Sequence, residues 1–262
     1  MRKAAPWIGL ATLIAVMAAL MWLNAGDGSA ARDRQLDASL IGTDGLQLWL
    51  QDQGVGVVHS NPRLAQRAAD FSLGILPLYD IDLSAAFKPP TTPDEEMLQA
   101  SQRDMDYWTL HDKLRVLPTL VVLPKWRTGF YKSAVAHEST LIPLTGLTTL
   151  IRDLDLTSGL LIRLGPQMML TSGTLKGQAK RPLALFWPQL FQRNRIPSHC
   201  QEKLGLPEGA LVLACYATET IPAAFLLSDP AQLNNPGRGL ARDATLAAEL
   251  VAGQVAPPSG VL

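Results

Sequence analysis

Hydrophobic and polar residues follow two different patterns along this chain. Residues 4–23 are apolar and free of charge, with Trp7, Leu10, Leu13, Val16, Leu20 and Trp22 among them, and Arg2 and Lys3 precede them. About 20 helical residues span the roughly 30 Å hydrocarbon core of a bilayer. Trp7 and Trp22 fall near the two ends of the run, where indoles favour the interface. The two leading cations favour keeping the short end inside. The pattern therefore predicts an uncleaved anchor over residues 1–25 and a polar juxtamembrane linker over 26–37. It places the N-terminus in the cytoplasm and the remainder in the periplasm, tethered to the inner (plasma) membrane. The competing reading is a cleaved signal peptide, cut after Gly28, Ser29 and Ala30. The apolar core of a signal peptide is usually about 7–15 residues, shorter than this run.

After the linker, short apolar segments alternate with amphipathic ones. Thr43 or Asp44 can cap a helix carrying Leu46, Leu48, Trp49 and Leu50, and Gly54 can end it. Strands are predicted over residues 55–58, 71–78 and 117–123. The last of these, LPTLVVL, is almost continuously apolar, as expected of a strand covered on both faces. A helix is predicted over 92–114, where Pro93, Asp94, Glu95 and Glu96 suit the first turn. A further helix is expected over 141–154 and strands over 160–164 and 183–187, with turns or an exposed excursion over 167–180. Two strong strands follow at 210–216 and 223–227, and a closing helix at 245–252. The order favours an α/β fold of one domain, residues 38–255, with a tail over 256–262. Its sheet should be mainly parallel and flanked by helices, with an irregular or antiparallel insertion around 125–185.

Composition narrows the function. Lys and Arg number 23 and so do Asp and Glu, giving no net charge. Without a basic excess nothing favours nucleic acid as a partner. The two cysteines, Cys200 and Cys215, enclose a loop that a disulfide would stabilise by roughly 3 kcal/mol. An oxidising compartment would permit that bond, though two thiols can also be two buried small hydrophobes.

Residues 42–58 (GTDGLQLWLQDQGVGVV) and 224–251 (AFLLSDPAQLNNPGRGLARDATLAAELV) carry a resemblance. The second runs from an apolar strand through Ser228, Asp229 and Pro230 to Asn234, Asn235, Gly239 and a helix. Together they resemble the membrane-protein family of domain of unknown function 4350. The resemblance implies a flavodoxin-like fold similar to class I glutamine amidotransferases. It also implies an envelope location and work beside MoxR-type AAA ATPases and proteins with von Willebrand A-like domains. Two departures are visible: no second membrane helix is seen before Leu262, and Asp243 is followed by Ala244 where the family often has Asn.

Candidate chemistry is sparse. Amidotransferases of this fold use a Cys on a glycine-flanked elbow, whereas Cys215 stands between Ala214 and Tyr216 with no His after it. Asp229, Asn234 and Asn235 follow a predicted strand, the place where open α/β sheets hold ligands. Turn chemistry explains the same residues, because Asp and Asn bond nearby backbone amides. Asp80 and Asp82 form a DxD that can hold a cation beside a phosphate, or simply a solvated strand end. His199 beside Cys200 makes a metal site only if two more ligands converge, and no spaced cluster exists. Lys125, Trp126 and Arg127, with Phe130, Tyr131 and Lys132, suit a lipid headgroup surface, a partner, or an ordinary loop.

No metal, cofactor or catalytic residue is therefore expected. The leading expectation is a non-catalytic, membrane-tethered binding or assembly domain with ligand contacts near Asp80 and Asp229. Its partner would be a protein, in a complex associated with an AAA ATPase. The alternative is a hydrolase or transferase with an acidic site of Asp80, Asp82 and Asp229 at the carboxyl ends of the strands.

Overall fold

The computed structural model describes residues 42–52, 54–58, 71–79, 91–93, 107–127, 137–153, 161–165, 169–173, 181–216 and 224–233. Helix α1, Asp44–Asp52, forms where the amphipathic pattern predicts it. It ends in a Schellman arrangement: Val55 N–H reaches Leu50 O at 2.9 Å and Gly54 N–H reaches Gln51 O at 2.9 Å. Gly54 sits at φ 78°, a left-handed conformation that glycine adopts without a Cβ clash.

Two parallel pairings make one half of the main sheet. Strand β1, Gly74–Pro77, pairs in parallel with β2, Thr119–Val122. Strand β9, Ala224–Leu227, pairs in parallel with the other edge of β2. Gly74 is required by close approach, because a Cβ there would lie 2.9 Å from Thr119 Oγ1.

The other half is antiparallel. Strand β8, Gly209–Cys215, joins β9, and β6, Gln189–Phe191, joins β8. Strand β3, Leu161–Arg163, then pairs with β6. Strand β7, Cys200–Leu206, also pairs with β8. The β7–β8 turn has only Pro207 and Glu208 between paired Leu206 and Gly209, and so short a link permits only an antiparallel pair. A separate two-stranded ribbon, β4 (Met169–Gly173) with β5 (Arg181–Leu185), stands where turns or an excursion were expected.

The β7–β8 hairpin contains two irregularities that cancel. Glu202 faces Leu213, Leu204 faces Val212 and Gly205 faces Ala210, so Lys203 is an extra residue on β7 and Leu211 one on β8. The Leu211 carbonyl, turned from the hairpin ladder, accepts from Ser228 N–H at 3.0 Å and Ser228 Oγ at 3.1 Å.

Side chains alternate across the sheet and make two cores. Val121 and Leu226 face Leu110 and Leu114 of helix α2 (Tyr107–Val116), and Leu147, Leu150 and Ile151 of helix α3 (Leu144–Asp153). Leu120, Val122 and Leu227 face the opposite way, with Leu46 and Leu50 of α1. The result is a helix–sheet–helix sandwich in which β2, flanked by β1 and β9, is buried at all four positions.

Several expectations are corrected here. The sheet is mixed: β1, β2 and β9 are parallel, β3, β6, β7 and β8 extend the same sheet as antiparallel strands, and the β4–β5 ribbon is an antiparallel pair apart from it. One reason is that β7 and β8 are joined by two residues, which permits only an antiparallel pair. Over residues 55–58 no strand forms beyond a single β-bridge at Val57. Among the described residues no helix is long and apolar enough to cross a membrane. The run expected as the anchor, residues 1–25, lies outside the described residues, as does the closing helix over 245–252. The transmembrane element of the expected fold is thus not upheld. Nor are the single-pass topology, the inner-membrane location and the periplasmic placement that depended on it.

Candidate functional site

Because β2 and β9 run parallel, the chains leaving them emerge at one end of the sheet. Lys125 follows β2 by three residues and Asp229 follows β9 by two. They meet there: Lys125 Nζ lies 2.8 Å from Asp229 Oδ2, and both side chains are 0% exposed. The lysine also donates to the Phe186 carbonyl. That carbonyl precedes Trp187, which holds φ at 47°, an uncommon conformation for a bulky residue and a local strain. Trp187 packs edge-on against Phe186, at 4.1 Å, and against Trp126, at 6.2 Å.

Both oxygens of Asp229 are engaged. Oδ2 also accepts from Gln189 N–H at 3.0 Å, and Oδ1 accepts from Ala231 N–H at 2.9 Å, capping the short 3-10 turn Pro230–Gln232. Proline in the first turn suits that cap, since it has no N–H to satisfy. Gln189 ties the same end together. Its amide donates to Ser228 O at 2.7 Å and to Pro124 O at 3.3 Å, and Ser228 Oγ donates to Gln189 O at 2.6 Å.

Arg163, at the end of β3, completes the group. Nη2 donates to Gln189 Oε1 at 2.7 Å and Nη1 to Ile142 O at 2.9 Å. Its Nε is buried and has no hydrogen-bond partner among the described residues. The cluster thus holds two cations, Lys125 and Arg163, against the single carboxylate of Asp229. Burial pushes the Lys125 ammonium below its usual pKa, against the pull of Asp229, and the nearby Arg163 charge adds to the lowering. Burial also lowers Arg163, with Asp229 opposing.

Of the residues expected to bind a ligand, Asp229 is the one placed here, and it is sealed from solvent. Asp80, Asp82, Asn234 and Asn235 lie outside the described residues. The basic–aromatic stretch is corrected. Lys125 and Trp126 are buried, at 1% and 8% exposure, so neither forms a lipid or partner surface. Phe130, Tyr131 and Lys132 lie outside the described residues. Lys125, Arg163 and Gln189 were not singled out as site residues. One signal for Lys125 was available: a lysine directly after an apolar, doubly covered strand has little surface to reach.

At the other end of the sheet Cys200 and Cys215 face each other across β7 and β8 and form a disulfide, with Cα atoms 3.9 Å apart. A bonded sulfur at a strand end is no nucleophile. His199 joins them: a ring nitrogen and the two sulfurs all lie within 4.8 Å of one another. Sequence spacing hid this group, because Cys215 is brought in by strand pairing.

No family model and no curated protein matches this chain. The resemblance noted above gains no support from them, and nothing supports the expected protein partner or AAA ATPase-associated complex. The expected membrane-tethered, non-catalytic domain is corrected on two counts. No helix among the described residues is long and apolar enough to span a membrane, and a buried ion pair and a group of metal-ligand type lie near the strand ends.

Proposed function

We propose that this chain is a hydrolase or transferase that binds an anionic substrate group at the carboxyl ends of β1, β2 and β9. One observation carries the reading: two buried or half-buried cations share one carboxylate, and the Arg163 Nε has no partner among the described residues. A guanidinium with an unused donor beside excess positive charge favours a phosphate or carboxylate. Arg163 is the contact residue in this reading. Lys125 and Asp229, both fully buried, are positioning residues that hold the strand ends in place.

The acidic groups for proton transfer are sought at Asp80 and Asp82, which follow Tyr79 in sequence, and Asn234 and Asn235 are further candidates for substrate contact. Kinship with the family of domain of unknown function 4350 stands alongside as a proposal, resting on residues 42–58 and 224–251.

The test is calorimetric titration of the full chain with inorganic phosphate and with acetate, paired with turnover of phosphate and carboxylate ester panels. Wild type should bind one of the anions, and Arg163→Gln should lose that binding while keeping its circular dichroism. Turnover should fall in Asp80→Asn. Equal anion binding by wild type and Arg163→Gln, or no turnover of any ester, would overturn the reading.

A further inference from the structure

The end of the sheet opposite Lys125 carries chemistry that the proposed activity does not use. Cys200 opens β7 and Cys215 closes β8, directly opposed in register. His199 precedes Cys200, and its backbone carbonyl accepts from Tyr216 N–H at 2.9 Å, which fixes the histidine backbone beside the pair. The His199 Nε2 is buried and has no hydrogen-bond partner among the described residues, an expensive state for a polar ring atom.

We propose that His199, Cys200 and Cys215 form a zinc site that opens when the disulfide is reduced and closes when it forms. In the bonded state neither sulfur carries the negative charge that a metal ligand needs. A dithiol reductant changes that. It is oxidised to its own disulfide while the Cys200–Cys215 bond takes up two electrons and two protons, leaving two thiols. Zinc then displaces both thiol protons and takes two thiolates and the neutral imidazole, with water in the fourth position. Ligands on one tetrahedral zinc stand about 3.5–3.8 Å apart. Three ligand atoms already within 4.8 Å of one another need only side-chain rotation to close on an ion. The β7–β8 ladder keeps them together, since Gln201–Ala214 and Glu202–Leu213 pair beside them whatever the redox state of sulfur.

The orphaned imidazole atom distinguishes this group from an ordinary structural disulfide. A cross-strand bond by itself needs no histidine, and a ring nitrogen of this one lies within 4.8 Å of both sulfurs.

Cobalt(II) titration of the full chain tests the proposal, because the chain has two cysteines and any thiolate-to-cobalt charge-transfer band must come from them. The reduced protein should develop that band with one equivalent of cobalt and lose it on adding zinc. The oxidised protein should show none. Cys200→Ser and Cys215→Ser should each lose the two-thiolate intensity, and His199→Ala should weaken cobalt binding. If reduction unfolds the chain, zinc should restore the native circular dichroism, since binding and folding are coupled. No band in the reduced protein, a band unaffected by His199→Ala, or unfolding that zinc does not reverse would each overturn the assignment.

Discussion

Lys125–Asp229 and Arg193–Glu202 are two ion pairs with the same 2.8 Å contact and different surroundings. The first is closed off at 0% exposure for both side chains, whereas the second keeps 43% and 31%. Arg193 grips Glu202 with both Nε and Nη2 and also donates to the carbonyls of Leu206 and Pro207, clamping the β7–β8 turn from outside. Its charge is easily kept, and the Glu202 hydrogen bond pushes its pKa up. Lys125 is pushed down instead, because burial removes water that the single carboxylate only partly replaces. Contact distance therefore says little about what an ion pair does. Water access decides whether losing one partner is trivial or disruptive.

The comparison is broken most directly at Asp229. Asp229→Ala strands a buried ammonium and should cost about 3–5 kcal/mol of stability in urea unfolding. The paired change Lys125→Met with Asp229→Leu should cost far less, because no lone charge remains. Equal losses in the two proteins would mean that Lys125 reaches water after all. Replacing both Cys200 and Cys215 by alanine should cost about 2–4 kcal/mol under oxidising conditions, read from the same unfolding curves.

Gly209→Ala comes next. Its Cβ would fall 2.7 Å from the Phe191 carbonyl, and backbone cannot swing aside like a side chain, so a loss of about 1–3 kcal/mol is expected. Breaking the exposed pair with Glu202→Gln should cost only about 0.2–1 kcal/mol, shrinking further in high salt. A loss as large as that of Asp229→Ala would erase the distinction drawn here.

The final test has a sign rather than a size. The folded-state pKa of Lys125 is lowered from 10.5, so between that lowered value and 10.5 the unfolded chain binds more protons. Stability should then rise with pH across this window, relative to the Lys125→Met, Asp229→Leu protein. A falling difference in pH-dependent melting would show that the pull of Asp229 outweighs burial.

Sequence pattern located the parts whose periodicity is strong. Helix α1 with its Gly54 stop, helix α3, and strands β1, β2, β3, β8 and β9 all lie where apolar spacing places them. Strand β7 escaped because Gln201, Glu202 and Lys203 are consecutive polar residues, and a bulge breaks the alternation that would mark a strand. Pairing direction escaped too, since it depends on which strands become neighbours and not on any one segment. The site was legible only at Asp229. Lys125, Arg163 and Gln189 come from three separate stretches, and their convergence is a property of the sheet order β2–β9–β8–β6–β3.

The cancelling bulges at Lys203 and Leu211 have an evolutionary consequence. Loss of either residue alone would slide half of the hairpin by one position, turning its side chains to the opposite face of the sheet on that half. Loss of both together would leave the flanking partners, Glu202 with Leu213 and Gly205 with Ala210, still opposed. Length change in this hairpin is therefore expected to occur in matched steps among descendants. A descendant lacking Leu211 would also have to find another acceptor for the Ser228 backbone N–H.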